Sequence, residues 1–131
     1  MIELIVLDVD GTLTDGKITY SSSGEETKSF DVADGLAIAV CTKAFSKKAA
    51  IITGRNSSIV EKRAKELNIT HLHQGIKNKQ EVLEEILKKE GLSWSQVAAI
   101  GDDLNDYNML KKVGLSFTPA NGSHYLKDFV N

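Results

Sequence analysis

Short apolar runs at residues 2–7, 49–52, 97–100 and 115–117 alternate along the chain with stretches of helical period, and a weaker run lies near His71-Leu72. That alternation is the mark of βαβ units around a parallel sheet, which narrows the fold to the α/β class. The stretch 57–67 carries Val60, Ala64 and Leu67 at helical spacing, and the next carries Leu83, Ile86 and Leu87 before Gly91 stops it. Both helices are expected to pack on the sheet. A further short helix is expected over 106–112, ended by Lys111, Lys112 and a glycine cap at Gly114.

Two of the apolar runs open into carboxylates. The first reaches Asp8-Val9-Asp10-Gly11-Thr12, with Asp15 close behind, and the second reaches Gly101-Asp102-Asp103-Leu104-Asn105-Asp106. In extended chain, residues i and i+2 project to the same side, so Asp8 and Asp10 can converge on one centre. Crowded carboxylates repel unless a cation joins them, and a hard divalent ion such as Mg²⁺ suits oxygen ligands while keeping places for water and phosphate. The plainer alternative is that these acids end strands and cap turns. Two acidic clusters favour one shared metal site and phosphoryl chemistry. In open parallel sheets ligands bind beyond the carboxyl ends of the strands, where all these acids fall.

Composition bounds the rest. A chain of 131 residues with 41% hydrophobic and 26% charged residues can bury one sizeable core, so a single domain over 1–131 is expected. A net charge of −2 gives no case for nucleic acid. The start lacks a signal-peptide pattern and no apolar run reaches membrane-spanning length, so no membrane partner and a cytoplasmic location are expected. Cys41 is the only cysteine, with apolar neighbours that favour a buried thiol over a catalytic one. His71, His73 and His124 lack tight metal-ligand spacing, and Trp94 in its turn suits packing.

The ordered set Asp8-Val9-Asp10-Gly11-Thr12, Thr53, Lys79 and Gly101 to Asp106 resembles the four motifs of the haloacid dehalogenase superfamily, over nearly the whole chain. Within it, Asp15-Gly16, Gly24-Glu25-Glu26, Asp34-Gly35, Ile52-Thr53-Gly54-Arg55, Gln74-Gly75 and Asn78-Lys79 resemble the cap-less 3-deoxy-D-manno-octulosonate 8-phosphate phosphatases. The resemblance implies a Rossmann-like three-layer α/β fold with a central parallel sheet and a β-hairpin flap instead of a cap domain. It also implies a Mg²⁺-dependent phosphomonoester hydrolase working through an aspartyl-phosphate, in lipopolysaccharide biosynthesis. Asp8 would be the nucleophile and Asp10 the general acid and base. The ion would be held by the Asp8 carboxylate, the Asp10 backbone carbonyl and Asp102. Thr53 and the adjacent amide of Gly54 would bind phosphoryl oxygens, Lys79 would offset their charge, and Asp103 and Asp106 would support the metal ligands from behind.

Taken singly, Thr53 fits a strand as a β-branched residue and Lys79 fits a solvated helix face; their place in the ordered set favours function. Arg55 suits a sugar-acid carboxylate or a pairing with a local acid. Residues 16–31 read as a β-hairpin, with Ile18, Tyr20 and Phe30 alternating with polar residues around Ser21-Ser22-Ser23-Gly24. A lone hairpin is marginal, so its apolar face calls for a partner; the resemblance implies a homotetramer, and the alternative is a hairpin folded on its own domain. Other readings are a broad-specificity or nine-carbon keto-sugar phosphatase, a non-catalytic oligomerisation module, and a phosphotransferase. Ala33 stands where the resembled branch commonly has arginine. Asp128-Phe129-Val130-Asn131 stand where that branch continues into a glycine-rich tail that helps subunits close over product. A truncated chain, a natural short form and a different substrate are each compatible with that ending.

Overall fold

The computed structural model describes residues 1–120, 122–127 and 130, so of the closing tetrapeptide only Val130 is described and the expectation tied to the tail lies outside the described residues. The elements in order are β1 (Leu4–Leu7), a hairpin of β2 (Thr19–Tyr20) and β3 (Glu26–Thr27), α1 (Val32–Ala39), β4 (Lys48–Ile52), α2 (Ser58–Glu66), β5 (His71–His73), α3 (Lys79–Glu90), β6 (Val97–Ile100), α4 (Tyr107–Leu110), β7 (Leu115–Phe117) and α5 (His124–Lys127). Among the described residues the central sheet has five parallel strands in the order β5-β4-β1-β6-β7.

Period-two alternation divides the core between the two sheet faces. Leu4, Val6, Ala50, Ile52, Val97 and Ala99 face Leu83, Ile86 and Leu87 of α3 with Met109, Leu110 and Leu126. Leu7, Ala49 and Ile51 face Ile38 of α1 and Val60 and Ala64 of α2. The result is the expected α/β/α sandwich. Helix α2 starts where Ser57 accepts from the Ile59 amide, and α3 ends at Gly91, whose φ of 68° is the left-handed glycine cap.

Three details depart from the sequence expectations. Helix α1, continued by a π-helical turn (Val40–Ala44), lies in a stretch where none was expected. Helix α4 stops at Leu110, and Gly114 has no left-handed φ; a Cβ there would strike the Ser95 carbonyl, so this glycine serves close approach and not a cap. The Lys111 and Lys112 ammonium groups instead sit over the Tyr107 and Trp94 rings, and Trp94 packs against the α3-side core. Finally, Phe30 folds back onto the α1-side core with Arg63 over its ring, while Ile18 and Tyr20 remain exposed.

Candidate active site

Strand β1 is central, and the chain leaves it first toward β4 and later returns on its other side as β6. A crevice forms where such a sheet changes direction. Leu7 is level with Ile51 and Ile100, so the residues just beyond these strands meet at one height. Asp8, Asp10, Gly16, Thr53, Gly54, Arg55, Asp102, Asp103 and Asn105 line a cavity of about 270 Å³ there.

Lys79 is the first residue of α3, behind the Asn78 cap, and is almost wholly buried. Its Nζ donates to Asp8 Oδ1 at 2.9 Å and to Asp106 Oδ1 at 2.6 Å. Desolvation opposes its charge, but the two carboxylates outweigh that and raise its pKa, so it is an ammonium. Asp106 is fully buried, and its other oxygen accepts from the Asp102 amide at 3.1 Å, which anchors the loop carrying Asp102. Asp103 is exposed and caps its own turn by accepting from the Leu104 amide.

Carboxylate oxygens of Asp8, Asp102 and Asp106 lie within 4.8 Å of one another. Burial, then the hydrogen bond and charge of Asp8, push the Asp102 carboxyl up to about 8. Crowded, desolvated acids of this kind fit a hard cation, which would replace the proton they otherwise hold between them. Gly11 makes the approach possible: its φ is +87°, and a Cβ there would collide with the Asp102 carboxylate.

The expectation that the Asp8 and Asp10 side chains converge needs amending. Both line the cavity, but the Asp10 carboxylate turns to Lys28 Nζ at 2.7 Å and lies outside the three-acid cluster. Only its backbone carbonyl was expected at the metal, and that assignment is unaffected. Lys28, missed in the sequence, pairs also with Glu26 at 2.8 Å. Burial works against the Lys28 charge, yet the hydrogen bonds of Asp10 and Glu26 raise its pKa. The available signal was Glu26 and Lys28 at i and i+2, on one face of an extended strand.

Arg55 pairs with local acids: Nη2 meets Glu26 Oε2 at 3.2 Å, and Nε lies 4.0 Å from Asp10 Oδ2. Thr53 is buried at the end of β4, its amide donating to the His73 carbonyl and its own carbonyl accepting from Ile76. Cys41 is half-buried and lines a separate apolar cavity against α1. His71 pairs with Glu90, and His124 stacks near Tyr125.

A central parallel sheet whose first strand ends at a buried acid, braced by a helix-borne lysine and an acidic loop, defines a hydrolase class. The chain belongs to the haloacid dehalogenase-like hydrolase family, whose model matches residues 43–131. It is 45% identical over 119 residues, 91% of its length, to the 3-deoxy-D-manno-octulosonate 8-phosphate phosphatase of Escherichia coli, and it spans 63% of that relative's length. Among solved structures it is similar to a probable phosphatase from Pseudomonas syringae, with TM-score 0.96 and 42% identity over 99% of this chain and 73% of that one. It is also similar to the Moraxella catarrhalis 3-deoxy-D-manno-octulosonate 8-phosphate phosphatase in complex with magnesium, phosphate and the keto-sugar acid. There the TM-score is 0.89 and identity 45%, over 94% of this chain and 70% of that one.

Proposed function

We propose that these 131 residues form a single phosphatase domain that hydrolyses phosphomonoesters with Mg²⁺, and that its substrate is 3-deoxy-D-manno-octulosonate 8-phosphate in lipopolysaccharide biosynthesis. The observation that carries the reading is Lys79, buried between Asp8 and Asp106 beside Asp102 at the end of β1. The similarity to the Escherichia coli and Moraxella enzymes supports the choice of substrate.

In this scheme an Asp8 oxygen attacks phosphorus in line, forming an aspartyl-phosphate as the bond to the sugar oxygen breaks. Asp10 gives the leaving alkoxide its proton, then takes one from the water whose oxygen attacks phosphorus and frees Asp8. Thr53 and the Gly54 amide hold phosphoryl oxygens, and Lys79 offsets the charge shared by Asp8 and phosphate. Asp8, the Asp10 carbonyl and Asp102 would hold Mg²⁺, which when bound supplies charge neutralisation and alignment of the phosphoryl group. Asp106 and Asp103 steady the loop of Asp102. Arg55 stands ready for the sugar-acid carboxylate once released from Glu26.

The exposed Ile18 and Tyr20 support assembly as a homotetramer through the hairpin, and the proposed activity belongs to the cytoplasm. Among the described residues no helix is long and apolar enough to cross a membrane. The test is phosphate release from the octulosonate phosphate, its nine-carbon analogue and an aryl phosphate, each with Mg²⁺ and with EDTA. Fast metal-dependent release from the first alone is expected. Equal rates on all three would replace the assignment with a broad-specificity phosphatase, and release from none would leave an assembly module.

A further inference from the structure

The Lys28 side chain is 2% exposed, whereas that of its partner Asp10 is 23% exposed, so the ammonium is the buried member of the pair. A buried ammonium needs compensating partners, and here they are Asp10 Oδ1, which accepts a hydrogen bond at 2.7 Å, and the negative charge of Glu26, whose Oε1 lies 2.8 Å away. Glu26 also receives Arg55, whose Nε faces the other Asp10 oxygen at 4.0 Å. Two acids and two cations thus close a ring that joins the loops after β1 and β4 through the hairpin. Such a pair on the open surface contributes little, but loss of one partner from a buried pair is costly. The hairpin has only two residues in each strand, too few to be stable alone, so this ring docks it.

We propose that Lys28 is a positioning residue for Asp10: the hairpin carries in a buried ammonium that fixes the Asp10 carboxylate at the cavity wall, making hairpin docking and carboxylate orientation one event. The inference rests on the phosphatase reading of the site. Lys28 does not line the cavity shared by Asp8, Thr53 and Asp102, so it acts through Asp10 and not on the phosphoryl group.

The experiment compares Lys28→Met and Lys28→Arg with the unaltered chain by steady-state phosphate release with Mg²⁺ and by amide hydrogen exchange over residues 17–30. Positioned acid–base groups contribute about 100-fold or more, and a displacement of about 1 Å can forfeit much of that. Lys28→Met is expected to lower kcat about 10- to 100-fold with KM within about twofold, and to speed exchange in the hairpin. Lys28→Arg is expected to recover most of kcat and the protection. A raised KM with unchanged kcat would make Lys28 a substrate contact and overturn the proposal, as would two unchanged constants. If Lys28→Met does not fold, Lys28→Gln replaces it, with the same expectations and the same overturning results. If the unaltered chain releases no phosphate, the phosphatase reading fails, while exchange still decides whether Lys28 docks the hairpin.

Discussion

Gly11 sits against the carboxylate of Asp102, so a turn after the first strand and a loop after the sixth are fitted to each other through one absent side chain. Gly11→Ala should suffer twice, from the +87° φ and from the collision. A loss of about 2–3 kcal/mol in urea unfolding is expected, with metal-dependent phosphate release abolished. Near-normal activity would show that Asp102 is free to relocate.

Asp8→Asn should abolish turnover while leaving the fold intact, because an amide is a poor nucleophile. Its side-chain oxygen still accepts from Lys79, and removing a charge relieves the crowding around Asp102. The melting temperature should therefore not fall in the absence of metal. Residual turnover near the original rate would remove Asp8 from the mechanism.

Lys79→Met leaves the acids of Asp8 and Asp106 without their buried cation. Breaking a buried ion pair from one side typically costs about 3–5 kcal/mol. Adding Asp106→Asn should recover part of that stability without recovering activity, measured by chemical denaturation and phosphate release. A strictly additive double variant would contradict the coupling inferred from the 2.6 Å contact.

Away from the site, Glu90 joins Lys48 and His71 at the edge of the sheet. The Lys48 hydrogen bond, helped by His71 and opposed by burial, holds the Glu90 carboxyl below its ordinary 4.5. Its folded pKa is the lower one, so the stabilisation is complete above that ordinary value and is lost as pH falls through the depressed one. Glu90→Gln should cost about 0.5 kcal/mol at neutral pH, and the cost should shrink progressively as pH is taken below 4.5. Urea midpoints at several pH values check this, and a difference independent of pH would refute it.

Ile18→Asp combined with Tyr20→Asp should reduce the assembled mass in light scattering if the hairpins mediate association. An unchanged mass would place the interface elsewhere.

The sheet was legible because each strand is a short apolar run with its own punctuation: β4, β6 and β7 fall on the expected residues to within one position. The acids after β6 were legible for the same reason, since they stand at a strand end whose place the pattern fixes, whereas Lys79, which alone suits a solvated helix face, was legible only through its place in the ordered set of motifs. Helix α1 was not. It spends Val32 and Leu36 on an exposed face, as the π-helical turn that follows does Val40, so the apolar residues do not mark a buried stripe. Lys28 was hidden differently: its partner Asp10 is 18 residues away, across a turn, and no local period records such a pairing.

The central position of β1 also governs the order in which the chain becomes competent. Its edges are filled by β4 and by β6, and the latter pairs Leu4 with Val97. During synthesis Asp8 emerges before Lys79, Asp102 and Asp106, and they reach it only after the intervening strands and helices have been made. Until then one side of the first strand is an unpaired edge of the kind that attracts other chains. The strand that leads into Asp8 is thus also the part of the nascent molecule most in need of protection from misassociation.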